Sequence, residues 1–205
     1  MKDHCTYEIP KGILAEHQRE ILNRHLCSLF LPVSFWETED KITVVVDETG
    51  WMPLEAATGI TVSEALALLC ALVKGWEEAE DRYLMPETLC WDAASFYVPV
   101  HRRKQIASHG GVCLAVPYMA WKASAGCSRS QAVEQLGGLL LTQIPRQERG
   151  YLQRALSLLV ENRYGGTYSL RSLERLKRES HRQEGGASAV AQFFRTTAEE
   201  RPAKG

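Results

Sequence analysis

Thr61-Val62-Ser63-Glu64-Ala65-Leu66-Ala67-Leu68-Leu69-Cys70-Ala71-Leu72-Val73-Lys74-Gly75-Trp76 is the stretch on which the fold turns. Thr61 and Glu64 stand three apart, so the Thr hydroxyl and the Glu carboxylate can each accept a free backbone N–H of a helix's first turn. Val62, Leu66, Leu69, Val73 and Trp76 then repeat with a period near 3.6, which predicts the central core helix. The acidic run Glu77 to Asp81 ends it, and Pro86 blocks extension.

Toward the N-terminus, Tyr7 to Pro10 predicts a short strand. After Gly12, the positions Ile13, Leu14, Ile21, Leu22 and Leu26 predict a helix, with His17 and His25 on or near its apolar face. Leu31, Val33 and Phe35 alternate, Glu37 to Lys41 forms a turn, and Ile42, Val44 and Val46 alternate again. This predicts an antiparallel hairpin, ended by Gly50 and Pro53.

Toward the C-terminus, Leu89 to Val116 favours strands. Phe96-Tyr97-Val98 and Val112, Leu114 and Val116 form the two arms of a second hairpin around a basic connection. Three helices follow: from about Ser128 (capped with Gln131), after Pro145, and after Ser169, with Gly165-Gly166 between the last two. Beyond about His181 the chain turns to Gly, Ala, Ser, Glu and Arg, too little apolar area to offset its conformational entropy. The expectation is an α+β fold of two lobes. Residues 1–60 form a strand-rich N-lobe with one helix, 61–183 a mainly helical C-lobe with an inserted β-hairpin, and 184–205 a mobile tail.

Composition narrows the function classes. The chain has 205 residues, 45% hydrophobic and 24% charged, which is ordinary for a globular protein. A formal net charge of −1 gives no overall pull toward nucleic acid or anionic lipid. The six cysteines (Cys5, Cys27, Cys70, Cys90, Cys113 and Cys127) form no CxxC pair and read as reduced thiols. No apolar run nears the ~18 residues of a membrane span, and Met1-Lys2-Asp3-His4 opens no leader, so the expected location is the cytoplasm.

Leu84-Met85-Pro86-Glu87-Thr88-Leu89-Cys90-Trp91-Asp92, after a long apolar helix and before a strand hairpin, resembles the catalytic-loop segment of a protein-kinase-like fold. Asp47-Glu48-Thr49-Gly50-Trp51-Met52-Pro53-Leu54 resembles the hinge segment of a more specific group. That group comprises an uncharacterised bacterial domain often joined to a forkhead-associated domain, and the cytoplasmic pseudokinase-like domain of a type VII secretion component. The resemblance covers roughly Tyr7 to Glu179. It implies a two-lobed protein-kinase-like fold and a protein partner, such as a forkhead-associated domain or a secretion component.

It also implies a degenerate site. Aligning Pro86-Glu87 with the Pro-Glu of an active loop puts Tyr83 where the base Asp would stand and Thr88 where the magnesium-binding Asn would stand. A phenol with a pKa of about 10 is a poor base at neutral pH, and a hydroxyl is a weaker magnesium ligand than a carboxylate. No Asp or Glu occurs from Ala93 to Val133, where a second metal ligand belongs. Only Lys2, Lys11 and Lys41 precede Lys74, and no glycine-rich phosphate loop is present. The expectation is therefore a pseudokinase-like interaction module with no catalytic residues, no metal and no cofactor. An atypical phosphotransferase using Glu87 or Asp92 as metal ligand is the alternative from the enzyme class.

Other constellations have bland readings beside sharp ones. His25 with Cys27, and His4 with Cys5, form one pair each, where zinc sites show two paired clusters. His101-Arg102-Arg103-Lys104, with His109, is a candidate phosphate contact on nucleic acid or a phosphoprotein, against a solvated turn. The helix from Ser169 places Leu170, Leu173 and Leu176 on one stripe among Arg171, Arg175, Lys177, Arg178 and Arg182, the pattern of a helix packed on the core. Among Trp36, Trp51, Trp76, Trp91 and Trp121, most are expected in the core. Trp51 and Phe193-Phe194 are the exposed interface candidates.

Overall fold

The computed structural model describes residues 4–89, 91–101, 114–117, 127–161, 175, 176 and 178. Within them the protein is α+β, and the central helix forms where its sequence pattern places it. This helix, α2 (Val62–Asp81), is capped reciprocally: Glu64 N–H donates to Thr61 Oγ1 (3.1 Å), and Thr61 N–H to Glu64 Oε2 (2.9 Å). It is buried on nearly every face, from Val62 through Leu66, Leu68, Leu69, Leu72, Val73 and Trp76 to Ala79. A helix apolar all round has to be enclosed, and each large side chain so buried contributes roughly 1.5–3 kcal/mol.

The sheet that precedes it has β3 (Lys41–Asp47) between β1 (His4–Pro10) and β2 (Val33–Glu37), all antiparallel. The register pairs Val33 with Val46 and Phe35 with Val44, and sets Ile9 across from Ile42. Ile9, Val33, Ile42, Val44 and Val46 are all buried, as alternation requires of a sheet with one wet face. Helix α1 (Glu16–Asn23) packs on β2, where Arg19 Nη1 lies 2.9 Å from Glu37 Oε2 and Lys11 Nζ 3.1 Å from Glu37 Oε1. The Arg19 hydrogen bond, with Lys11 beside it, holds the Glu37 carboxyl below the usual carboxylate range.

On the helical side, α3 (Arg129–Gln143) starts at the expected cap: Gln131 N–H donates to Ser128 Oγ, and Ser128 N–H to Gln131 Oε1. After Pro145 a short 3-10 turn, Arg146–Glu148, leads into α4 (Arg149–Glu161). Both α3 and α4 pack on α2 and on each other. Arg175, Leu176 and Arg178 are helical, and Leu176 is buried, as its place on the apolar stripe predicts. The remainder of that helix, the Gly165-Gly166 break and the tail lie outside the described residues.

Two expectations require correction. Gly50 and Pro53 do not simply end the first hairpin: Trp51–Pro53 is itself a strand, β4, pairing antiparallel with β5 (Tyr97–Pro99). Of the second hairpin, the described residues contain one antiparallel bridge between the two arms, in which Tyr97 and Ala115 exchange N–H···O bonds of 2.8 and 3.0 Å. Segment 114–117 reaches in the other direction to Phe30, through Leu31 N–H on Val116 O and Val116 N–H on Leu29 O. Val112 lies outside the described residues. In α1 the apolar stripe is shorter than expected, since Ile13 and Leu26 fall beyond its ends and are exposed, as are His17 and His25.

Two glycines separate packing from helix propensity. A Cβ on Gly75 would sit 2.9 Å from Leu29 Cβ, inside a buried contact, whereas one on Gly138 would meet nothing within 4 Å. Alanine favours a helix interior by about 1 kcal/mol over glycine at either place. Gly138→Ala should therefore raise the unfolding free energy by up to ~1 kcal/mol, while Gly75→Ala should lower it by about 1–2 kcal/mol through overpacking. Urea denaturation of both variants checks this.

Candidate functional site

The segment that follows α2 is held by its backbone. Tyr83 O accepts the buried Gln18 side-chain amide of α1 at 2.7 Å. Met85 O accepts Thr88 Oγ1–H at 2.8 Å and Thr88 N–H at 2.9 Å, closing the 3-10 turn Pro86–Thr88. Pro86 O accepts the Trp91 indole N–H at 2.8 Å, and Glu87 O accepts Cys127 N–H at 2.7 Å. The Trp91 ring lies between Trp76 (centroids 5.0 Å apart) and Phe96 (6.1 Å), all three buried. Four carbonyls of five successive residues are thus turned into the fold, toward α1, the local turn, the aromatic stack and the start of α3.

Two of its side chains point the other way. Tyr83 is 75% exposed and Met85 51%, large apolar groups that folding would ordinarily bury, while Leu84 and Pro86 between and beside them are buried. Both have left-handed backbone, φ 55° for Tyr83 and 48° for Met85. For residues with a Cβ that conformation costs roughly 1–2 kcal/mol each, and at Met85 the following proline restricts the backbone further. At Tyr83 it is the left-handed end of α2, closed by Tyr83 N–H on Glu80 O (3.0 Å) and Leu84 N–H on Ala79 O (2.9 Å); the bonds to Gln18, Thr88, Trp91 and Cys127 hold the rest of the loop.

Beside the loop lies an open groove of about 930 Å³. Trp76 and Glu80 of α2 form one wall, Tyr83, Met85 and Glu87 of the loop the rim, and Ser128 to Ser130 with Glu134 of α3 the opposite wall. Val160 of α4 closes one end. Glu80 accepts the Trp76 indole N–H through Oε1 at 2.7 Å, and Arg129 Nη1 is 3.5 Å from Glu77 Oε1. None of the lining residues comes from the three-stranded sheet.

The expected site residues separate. Tyr83, Glu87 and the loop around Pro86 come together at the groove. Thr88 is engaged in the local turn, and Asp92, also outside the lining, accepts Ser95 Oγ–H at 2.6 Å. Trp51 is half-buried in β4 and packed on the core, which corrects its place as an exposed anchor. Among the described residues the exposed tryptophan is Trp36, at 66%, on the outer face of edge strand β2. Alternation within Val33–Glu37 already places Trp36 opposite the core-facing Phe35, and that signal was available in the sequence. Arg102, Arg103 and Lys104, with His109, Trp121, Phe193 and Phe194, lie outside the described residues.

The zinc reading of His25 and Cys27 has no support in the geometry. His25 is exposed while Cys27 is buried, and among the described residues no three His, Cys, Asp or Glu side chains are grouped to hold a metal ion. Burial pushes the Cys27 thiol up to about 11, so it keeps its proton at neutral pH.

No protein-family model matches the chain, and no curated protein matches it. Among solved structures, the crystal structure of the Staphylococcus aureus ESSB cytoplasmic fragment is similar at a TM-score of 0.41 and 13% identity, over 87% of this chain and 98% of that one. Among the described residues, no helix is long and apolar enough to cross a membrane.

Replacing Tyr83 by glycine removes the Cβ that the left-handed backbone opposes and sacrifices little buried area. Tyr83→Gly should stabilise the fold by about 1 kcal/mol, raising Tm by roughly 2–4 °C in calorimetry. For Cys27, the folded-state pKa is raised from the ordinary 9.0 to about 11. The native state therefore holds its proton longer than the unfolded chain, and the resulting stability is complete below pH 9 and is lost as pH rises toward 11. Unfolding free energy measured across that interval should decline less steeply in Cys27→Ala than in the wild type.

Proposed function

We propose that the protein is a non-catalytic, kinase-like interaction module of a bacterial signalling or secretion assembly, and that it meets a protein partner through Tyr83, Met85 and the adjoining groove. The observation that carries this is the division of labour in the loop. Its carbonyls are turned inward and bonded, while its two largest apolar side chains stand exposed. Large apolar groups left in solvent on a loop whose backbone is fixed, beside a groove, mark a candidate binding surface. Aromatic and methionine side chains are also the types enriched where interfaces carry their energy.

The kinase-like part of the proposal draws on the sequence resemblance of the 47–54 and 84–92 segments. Its non-catalytic part draws on chemistry. Tyr83 takes the place of a base, Thr88 donates its proton to Met85 O, and Asp92 is bonded to Ser95. A phosphoryl-transfer site needs metal-holding groups converging on the phosphates.

Affinity purification from the native cell, with wild type beside Tyr83→Ser/Met85→Ser, tests the proposal. Both positions are exposed, so the double variant should melt within a few degrees of wild type. A partner recovered stoichiometrically with the wild type should be lost from the variant. Equal recovery by a folded variant, or magnesium-dependent transfer of phosphate from ATP by the wild type, would overturn it.

A further inference from the structure

The groove has a chemical character that the loop alone does not. Glu80, Glu87 and Glu134 line it with three carboxylates, against the single guanidinium of Arg129, which already faces Glu77. Glu87 and Glu134 are exposed, and neither is in an ion pair among the described residues. The same groove carries apolar surface from Tyr83, Met85 and Val160. In a molecule with a formal net charge of −1, this is a local negative field set beside an apolar rim.

We infer that the groove docks a segment of the partner protein carrying a lysine or arginine flanked by aliphatic or aromatic side chains. The cation pairs with one of the lining carboxylates, Glu87 or Glu134 being the two without an ion pair among the described residues, and the flanking groups lie on Tyr83, Met85 and Val160. The inference rests on the interaction-module reading and names the chemistry of the partner. Charge complementarity selects this occupant over the others. Nucleic acid and anionic lipid bring phosphates that three carboxylates repel. A bare divalent ion is disfavoured because among the described residues no three potential ligands are grouped to hold one. A volume of about 930 Å³ is within the ordinary range for a site taking a few side chains.

The test uses the whole chain and a positional library of ten-residue peptides, each position fixed in turn as Lys, Arg, Glu or Leu, with binding read by fluorescence anisotropy. Lysine or arginine should be selected at one position with leucine beside it, and the affinity should fall as salt is raised. Glu87→Gln/Glu134→Gln should weaken binding by about fivefold, two partly screened ion pairs' worth. Glu39→Gln/Asp40→Asn, in the β2–β3 turn away from the groove lining, should leave it unchanged. Selection for glutamate, no selection, no binding, or an affinity indifferent to Glu87 and Glu134 would each overturn the inference. The native partner separates the two proposals. If its recovery depends on Tyr83 and Met85 but survives Glu87→Gln/Glu134→Gln, the module stands and the basic segment falls; if it depends on neither pair, both fall.

Discussion

Burial of Trp91 between Trp76 and Phe96 is the contact through which the helical part, the strand β5 and the exposed loop become one structure. The ring packs, tilted, on Trp76 in the C-terminal part of the best-buried helix, and Phe96, which it also contacts, leads directly into β5. Its indole N–H would be costly to leave unpaired at that depth, and Pro86 O is the acceptor that satisfies it. The hydrogen bond draws the loop down onto the core at Pro86. Tyr83 is left-handed as the residue that ends α2, and Met85 is left-handed directly before the anchored Pro86; both side chains stand in solvent.

The candidate site follows from this anchoring. With four of its carbonyls engaged, the loop presents the Tyr83 and Met85 side chains from a fixed backbone, and rigid presentation lowers the entropy that a partner must overcome on binding. The electrostatics are built from three separate elements. The last turns of α2 bring Glu80, the loop brings Glu87, and the first turns of α3 bring Glu134 beside Arg129. The Cys127 N–H bond to Glu87 O joins the loop to the start of α3 and so fixes two of the three carboxylates relative to each other.

Much of the fold was legible in the residue order. The Thr61–Glu64 and Ser128–Gln131 caps formed as their spacing predicts, because each needs only contacts within one helical turn. The β2–β3 pairing was legible because alternation over Val33–Glu37 and Lys41–Asp47 leaves one register that buries Val33, Val44 and Val46 together and packs the half-buried Phe35 on the core beside them. The three-residue strand β4 was not legible. Trp51-Met52-Pro53 contains a proline and is too short for any period to show, and it is a strand only because Tyr97–Pro99 lies beside it. Of the candidate site, Tyr83, Pro86 and Glu87 were singled out through a resemblance, whereas Met85, Glu80 and Glu134 carried no local signal.

The sequence by itself determined the elements whose causes lie within a few residues: the central helix and its caps, the first hairpin, the helix after Pro145, and the chemistry that Tyr83 and Thr88 lack. Tertiary structure decided which tryptophan faces solvent, what β5 pairs with, and the left-handed turns at Tyr83 and Met85. It also decided the meeting of Glu80, Glu87 and Glu134 around one groove. The physical reason is range. Periodicity and capping act over one or two turns of chain, whereas carboxylates from three elements line one groove, and the loop between them is held down, only through bonds to residues such as Gln18, Trp91 and Cys127 that are brought in from elsewhere in the fold.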